Sequence, residues 1–372
     1  MFLFIQIFLL LFSPLFFLFL EKRKYLPGFL GPVVLSYVFG IFLASIRLFP
    51  LEDAVSKGFS EATVLIAIPL LLFSTDIKAW IKDAKSTVLS FACCVLSAAL
   101  VTILISVYSG DLFPELWKAS GMIAGVNTGG TPNMQAVGLA LEASDQLFVQ
   151  LNAADILYGG FYLLFLTSFA KPLMSKFYPQ YKNADNATSE EVTSDSFMWK
   201  DVMLSTLLSI LIVLLSVGAV FGIFGNMDQV AIIILLITTL AVGASFIENI
   251  RNFKGAFSFG NYLLLVFCVA IGMRSEASQI LNNSTQILYF YGQIYVLTII
   301  VHYILSYFLR IDRDTVLITS TASIFGPAFV GQIAQVLGNR HIVFGGMATG
   351  LVGYAIGNYL GIGVAYLVNF LQ

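Results

Sequence analysis

Charged side chains are scarce in this chain of 372 residues, of which only 11% are Asp, Glu, Lys or Arg. Soluble domains carry roughly 25% charged residues. The net charge of −2 leaves no basic surface for nucleic acid, so no nucleic-acid partner is expected. Histidine is nearly absent as well, with His302 and His341 as the only two. Because an enzyme site needs metal ligands or a nucleophile with its base, the chain is predicted not to be an enzyme.

Cysteine is also rare, and the number and spacing of the cysteines exclude a thiolate metal site. The three cysteines, Cys93, Cys94 and Cys268, lie in apolar runs and lack metal-ligand spacing. They are expected to be buried packing residues. No cofactor is expected beyond a sodium ion, for which the reasons are given below.

Apolar residues make up 58% of the chain, and the mean hydropathy is +0.90. About 20 apolar residues span the hydrocarbon core of a bilayer. By this measure candidate spans lie near residues 2–20, 28–46, 59–77, 87–108, 119–141, 147–174, 201–225, 229–247, 256–273, 286–309, 315–338 and 342–370. The chain is therefore predicted to be an all-α, multi-pass protein with about 11–12 transmembrane helices. Its expected environment is the bilayer of the plasma (cytoplasmic) membrane.

One long polar stretch, residues 176–200, divides the chain. It has no apolar periodicity and is predicted to be a linker between two membrane halves, residues 1–175 and 201–372. The same three features follow one another in both halves. The end of a predicted span comes first, then an apolar segment that glycine and proline interrupt, and then a span that contains glycines and polar residues. This order indicates an internal duplication, with chance similarity of apolar runs as the alternative.

The orientation of the two halves depends on the number of spans between the broken segments. These segments fall in the fifth and eleventh predicted spans, an even separation, whereas an inverted repeat needs an odd one. The distribution of Lys and Arg in the loops favours inversion. We therefore expect a two-fold inverted repeat in which one span is re-entrant or miscounted.

The first broken segment, residues 125–133, is rich in groups that can bind a ligand once helical hydrogen bonding stops. Its glycines allow backbone conformations closed to other residues, and its proline removes a donor. Released carbonyls can coordinate sodium, and helix amino ends can face an anion. The alternative is a proline kink with glycines for close helix packing. The candidate binding residues are Asn127, Thr128, Gly129, Gly130, Thr131, Pro132, Asn133 and Gln135.

The second broken segment, residues 320–327, follows the same logic with fewer polar groups. Its candidate binding residues are Ser323, Gly326 and Pro327, with Gln332 shortly after them. Serine and threonine here could instead bond back to their own helix. Paired broken helices in two halves of a membrane protein point to the binding site of a transporter.

Asp155 stands inside an apolar span, where a carboxylate costs about 2.5 to 3.5 kcal/mol on insertion scales. It could bind a coupling ion, carry a proton or accept hydrogen bonds from the first broken segment. The alternative places it at a wet interface. Asn152 lies one turn earlier on the same face, and Asn358 is a further candidate in the last span. Asn133 and Asp155 are the predicted sodium ligands.

At these segments the chain resembles the YjcL-like family of uncharacterised bacterial integral membrane proteins, known as domain of unknown function 819. The residues that carry the resemblance lie at 128–133, 154–155, 324–327 and 353–358. More distantly, the chain is similar to the bile-acid symporter and cation/proton antiporter group, in which two discontinuous helices cross at mid-membrane and a core domain moves against a panel domain. The resemblance implies crossover points at 128–133 and 323–327, and sodium or proton coupling. Phe325 occupies a position where a second glycine is expected, which disfavours a close backbone approach there.

Together these features predict a secondary active transporter that works by alternating access, with an elevator-like movement. The expected cargo is a small anionic or zwitterionic organic solute, and sodium is the expected coupling ion because neutral oxygens abound at the first broken segment. The alternatives are a proton-coupled transporter or antiporter and an ion channel. A homodimer is a further expectation that the sequence leaves open.

Overall fold

The structure, a computed structural model, describes residues 2–23, 32–46, 50–75, 85–180, 198–226, 229–274, 284–339 and 341–372. All regular secondary structure in these ranges is helical. The helices of the first half are α1 (Phe2–Lys22), α2 (Pro32–Ile46), α3 (Asp53–Leu72), α4 (Lys85–Ser109), α5 (Leu116–Gly129), α6 (Thr131–Ala140), α7 (Asp145–Ser168) and the short α8 (Ala170–Met174). Those of the second half are α9 (Trp199–Phe224), α10 (Val230–Ser245), the short α11 (Glu248–Arg251), α12 (Ala256–Arg274), α13 (Ser284–Phe308), α14 (Arg313–Phe325), a 3-10 turn (Pro327–Phe329), α15 (Val330–Leu337) and α16 (Ile342–Leu371).

Within these ranges, eight helices are long and apolar enough to cross a membrane, namely α1, α3, α4, α7, α9, α12, α13 and α16. Helices α2 and α10 are apolar but shorter. The prediction of an all-α, multi-pass membrane protein is confirmed. The three cysteines are buried in these helices, as expected. Most of the predicted linker lies outside the described residues, and the division into two halves stays a prediction.

The first broken segment forms a helical hairpin, because α6 turns back along α5. A methyl group built at Gly125 would lie 3.3 Å from Val137 Cγ2, although twelve residues separate the two positions. At the open end, Lys118 Nζ donates to the carbonyl oxygen of Glu142 at 2.8 Å. Gly130 makes the turn with a φ of 85°, a conformation that favours glycine. We call residues 116–140 hairpin A.

The chain also doubles back at the second broken segment, and we call residues 313–337 hairpin B. Asn339 Nδ2 donates to Asp314 Oδ2 at 2.9 Å across the open end. A methyl group at Gly346 would meet both Ile318 on α14 and Val330 on α15 at 2.7 Å. Gly326 makes the turn with a φ of 71°. Both broken segments are thus discontinuous helices that return to the side from which they start.

These hairpins differ from the crossover helices predicted at 128–133 and 323–327. The count of 11–12 transmembrane helices stays a prediction, because parts of the chain lie outside the described residues. Predicted spans 119–141 and 315–338 do not run as single helices, since each contains two antiparallel helices of 8 to 14 residues. Hydropathy cannot show this difference, because both arrangements give one apolar run of about 23 residues broken by glycine. One span was expected to be re-entrant or miscounted, and two of the predicted spans fold as hairpins.

The hairpins enter from opposite ends of α7. Its amino end adjoins the base of hairpin A, where Ser144 Oγ donates to Glu115 Oε2 at 2.6 Å. Beyond its carboxyl end, Lys171 Nζ donates to the carbonyl oxygen of Leu337, at the base of hairpin B, at 2.7 Å. The 24 residues of α7 span about 36 Å between these points. This opposite entry is what an inverted repeat requires, and the repeat itself stays a prediction.

The helices pack as two layers, each with helices from both halves. In the scaffold layer, formed by α1–α3 and α9–α12, α12 packs mainly on α2 and α3. The core layer contains the two hairpins with α4, α7, α13 and α16, and α16 packs mainly on α5. The two layers meet along α2, α3, α10 and α12, which lie next to the hairpins and α7.

Candidate functional site

The tips of the two hairpins meet inside the core layer. A methyl group built at Gly130 would lie 3.2 Å from the backbone nitrogen of Gly326. Ser323 Oγ of hairpin B donates to the carbonyl oxygen of Asn127 of hairpin A at 2.6 Å. Both broken segments predicted from sequence are therefore brought together at one point.

This close backbone approach corrects the expectation drawn from Phe325. The aromatic ring of Phe325 turns away from the contact between the hairpin tips. It stacks on Tyr162, with ring centroids 6.1 Å apart, and it also contacts Phe329. Because the bulky side chain leaves the meeting point, Phe325 does not prevent the close approach of the backbones at Gly130 and Gly326.

Three buried polar atoms at hairpin A find no hydrogen-bond partner among the described residues. They are Oδ1 and Nδ2 of Asn127 and Oδ1 of Asn133. Both residues are at most 2% exposed. An unsatisfied buried polar group costs about 1–3 kcal/mol, so proteins seldom keep one without a use for it. We call Asn127, Asn133 and Ser323 the tip site.

Asn133 is held in place by α16. Its Nδ2 donates to the carbonyl oxygen of Tyr354 at 2.9 Å and to Asn358 Oδ1 at 3.0 Å. Asn358 Nδ2 in turn donates to Thr238 Oγ1 of α10 at 3.0 Å. The predicted residues Asn133 and Asn358 are thus neighbours, and their chain of hydrogen bonds reaches the scaffold layer.

A closed ring of three hydrogen bonds joins Gln135 and Asn152 to Tyr37 of the scaffold layer. Tyr37 Oη donates to Gln135 Oε1 at 3.2 Å, and Gln135 Nε2 donates to Asn152 Oδ1 at 3.1 Å. Asn152 Nδ2 then donates to Tyr37 Oη at 3.1 Å. Sequence reasoning found the two amides but missed Tyr37, since a tyrosine in an apolar span gives no distinctive signal.

Replacing Tyr37 with Phe should lower the free energy of unfolding by about 1–3 kcal/mol, because Gln135 Oε1 loses its buried donor and Asn152 Nδ2 loses an acceptor. Thermal unfolding of the detergent-purified variant measures this loss. Tyr366→Phe serves as the control, because Tyr366 is 51% exposed. Equal melting temperatures for the two variants would show that the ring adds nothing to stability.

Asp155 lies apart from these contacts. Its Oδ1 accepts a hydrogen bond from Tyr291 Oη of α13 at 2.6 Å. Asn133, the other predicted sodium ligand, is held by α16, so the structure gives the two side chains different partners. The described residues contain no group of three His, Cys, Asp or Glu side chains that could hold a metal. Sodium binding by either residue stays a prediction.

The remaining predicted residues line the hairpin turns or bond locally. Thr128 Oγ1 donates to the carbonyl oxygen of Ala124, in its own helix, at 2.8 Å. Thr131 and Pro132 begin α6 and are half-buried. Gly129 packs on the backbone of Gly353. The side chain of Gln332 lies outside the described residues.

A multi-pass membrane protein with two opposed re-entrant hairpins and a buried polar cluster at their tips is the class that this architecture defines. The chain belongs to the family described as Protein of unknown function (DUF819), whose profile matches residues 9–371. It is 23% identical over 362 residues to the uncharacterized membrane protein YjcL of Bacillus subtilis (strain 168), covering 92% of this chain and 91% of that protein. The resemblance to this family predicted from the broken segments is confirmed.

Proposed function

We propose that the protein is a secondary active transporter that binds its cargo where the two hairpin tips meet and works by alternating access. The observation that carries this proposal is the set of unpartnered polar atoms at the tip site, on Asn127 and Asn133. Backbone freed from helical hydrogen bonding at membrane depth is tolerated where it is buried or lines a cavity. Two such turns that meet at one point match a binding site better than two independent kinks. No step of this function needs covalent chemistry.

The cargo that fits the tip site best is a small organic anion or zwitterion. Helix α6 and the 3-10 turn before α15 both begin at the meeting point, so two helix amino ends converge there. Helix amino ends carry partial positive charge and free N–H groups. Asn127 Nδ2 adds a further donor, which has no partner in the part of the chain that the structure describes. These donors suit a carboxylate, and the neighbouring amide oxygens suit a hydroxyl or ammonium group of the same solute.

Sodium is the coupling ion that the tip site favours. Asn127 Oδ1 and Asn133 Oδ1 are buried, neutral and unpartnered among the described residues. Hard cations prefer such oxygen ligands. Proton coupling is the second candidate, and one observation favours it. Asp155 accepts a hydrogen bond from Tyr291 away from the tip site. A carboxylate inside a membrane span is costly to keep charged, which favours the binding of a proton.

An elevator-like movement would slide the core layer against the scaffold layer, and the contacts between the layers support this. Several of these contacts between the layers are single hydrogen bonds or ion pairs, which break at a lower free-energy cost than interlocked apolar side chains. Arg274 at the end of α12 binds Asp53 at 2.8 Å within the scaffold and Asp145 of α7 at 2.9 Å. Tyr37 and Thr238 provide two further links described above, and Thr239 Oγ1 of α10 lies 2.6 Å from Tyr359 Oη of α16. These links would have to break and reform during each cycle.

A two-stage experiment tests the proposed function. Pools of organic anions and zwitterions are first screened for a rise in melting temperature of the purified protein in NaCl. Compounds that raise it are then tested for counterflow in proteoliposomes, with a radiolabelled solute outside and excess unlabelled solute inside. We expect saturable counterflow that requires sodium and is lost in Asn127→Ala. Unitary currents without saturation would instead identify a channel.

A further inference from the structure

A row of tyrosines, which we call the tyrosine file, lies along the face shared by α7 and α13, outside the tip site. Seven of the 16 tyrosines belong to it. On the α7 side they are Tyr158, Tyr162 and, beyond α8, Tyr178; on α13 they are Tyr291, Tyr295, Tyr303 and Tyr307. The proposed tip site does not use them, and sequence analysis did not single them out.

The deep end of this tyrosine file is Asp155, whose Oδ1 accepts from Tyr291 Oη at 2.6 Å. Tyr291 packs on Tyr295 with ring centroids 5.8 Å apart. Farther along, the hydroxyls of Tyr162 and Tyr303 are 2.6 Å apart, and Tyr162 Oη is also 2.6 Å from Ser320 Oγ of hairpin B. The tyrosine file therefore contains two hydrogen-bonded groups, one after the other in space, the first at Asp155 and the second at Tyr162.

The other end of the file reaches the surface near the base of hairpin B. Tyr291 is fully buried, whereas Tyr307 is 50% exposed. The 16 residues between them on α13 correspond to about 24 Å. Tyr307 lines a surface pocket of about 750 Å³ together with Arg310 and Asp312. Water in this pocket can therefore meet the exposed end of the file.

The file is interrupted at two places. Near its outer end, Tyr178 Oη donates to the backbone carbonyl oxygen of Tyr303 at 2.6 Å and not to its hydroxyl. The inner interruption lies at Tyr295. Its hydroxyl is buried and has no hydrogen-bond partner among the described residues. The obstacle beside it is Phe325 at the tip of hairpin B. A methyl group built at Gly159 would touch both the Tyr295 hydroxyl, at 3.8 Å, and the Phe325 ring, at 3.2 Å. Phe325 also stacks on Tyr162, so it lies beside both ends of the gap.

We propose that Asp155 exchanges a proton with water at the hairpin B end through this tyrosine file, and that Phe325 gates the gap at Tyr295. Each hydroxyl oxygen accepts a proton as it releases its own to the next acceptor. Every tyrosine therefore ends neutral, the Asp155 carboxylate becomes a carboxylic acid, and one proton leaves the water. A closed gap prevents a leak, and movement of the hairpin B tip opens it. The physiological meaning of this exchange rests on the proposed transport function.

The groups that face Asp155 are consistent with a proton acceptor without a fixed cationic partner. Among the described residues, Tyr291 and Tyr295 approach it from α13, and Tyr158 lies on its own helix and stacks on both. The scaffold helices reach α7 elsewhere: Tyr37 of α2 bonds to Asn152, and Arg274 of α12 pairs with Asp145.

Infrared spectroscopy tests the proposal without a solute or sodium. The carboxylic-acid band of Asp155 is identified across a pH series as the band missing in Asp155→Asn, and its rate of deuterium exchange is then measured. Tyr162→Phe removes a relay hydroxyl and should slow exchange on the order of 100-fold. Phe325→Ala should speed it. Tyr289→Phe, at a residue 62% exposed on the same helix, is the matched control and should leave the rate unchanged.

Each outcome decides one part of the proposal. If Tyr162→Phe fails to fold, Tyr303→Phe interrupts the same hydrogen bond and replaces it. Equal rates in all folded variants, or no Asp155 band at any pH, would overturn the tyrosine file as a proton path. A response to Tyr162→Phe without one to Phe325→Ala would overturn the gate alone. Failure here would leave the tip site untouched, because sodium and solute binding are measured separately.

Discussion

Gly129→Ala should destabilise the protein strongly, by about 1–3 kcal/mol or more, and we expect a correspondingly lower melting temperature. A methyl group at this position would collide with the backbone carbonyl of Gly353 and with Asn133 Oδ1. Backbone atoms cannot rotate away as a side chain can. Helices α5 and α16 would have to separate, and the tip of hairpin A would move with them.

Gly160→Ala is the matched control for this prediction. Gly160 also lies in a helix of the core layer, α7, but a methyl group there meets nothing within 4 Å. Alanine is favoured over glycine in a helix interior by up to about 1 kcal/mol, so this variant should be neutral or more stable. Opposite shifts of the two melting temperatures are expected. Equal shifts would contradict the close contact between the hairpin tip and α16.

Asn127→Ala should make the empty protein more stable while it removes the response to sodium. In the absence of a ligand, both polar atoms of this side chain are buried without a partner among the described residues. Their removal relieves a desolvation penalty of about 1–3 kcal/mol, less the cost of the small cavity that remains. A residue that costs stability and serves binding gives this opposite pair of effects.

The melting temperature in choline chloride measures the first effect of Asn127→Ala, and the added stability in NaCl measures the second. Thr128→Ala is the neighbouring control, because Thr128 Oγ1 bonds only to its own helix at Ala124 among the bonds described for it. This variant should keep its sodium response. An Asn127→Ala protein that is less stable than wild type and still responds to sodium would show that Asn127 has a purely structural role.

The sequence predicted the helices and the two breaks well but not the course of the chain at the breaks. Hydropathy locates apolar runs, and glycine with proline locates the interruptions at Gly130 and Gly326. Neither signal tells a kinked crossing from a hairpin, because that difference lies in contacts such as Lys118 with Glu142. The even separation of the two breaks, which fall in the fifth and eleventh predicted spans, was the one hint that a span is re-entrant or miscounted.

The candidate site was predictable only in part for a similar reason. Asn127 and Asn133 stand out because amides are rare in apolar segments. Their partners are apolar or ordinary residues far away in the chain, such as Tyr354, 221 residues from Asn133. The role of Tyr37 and the outward turn of Phe325 depend on tertiary packing, which one sequence without its fold does not contain.

The thermal stability of the purified protein titrated with NaCl, KCl or choline chloride at fixed ionic strength tests the central claim most directly. A ligand that binds only the folded state stabilises it by mass action. A sodium site at the hairpin tips predicts a saturable rise in melting temperature that is specific to NaCl and is lost in Asn127→Ala. The same melting temperature in all three salts, or a sodium response that survives Asn127→Ala, would contradict it.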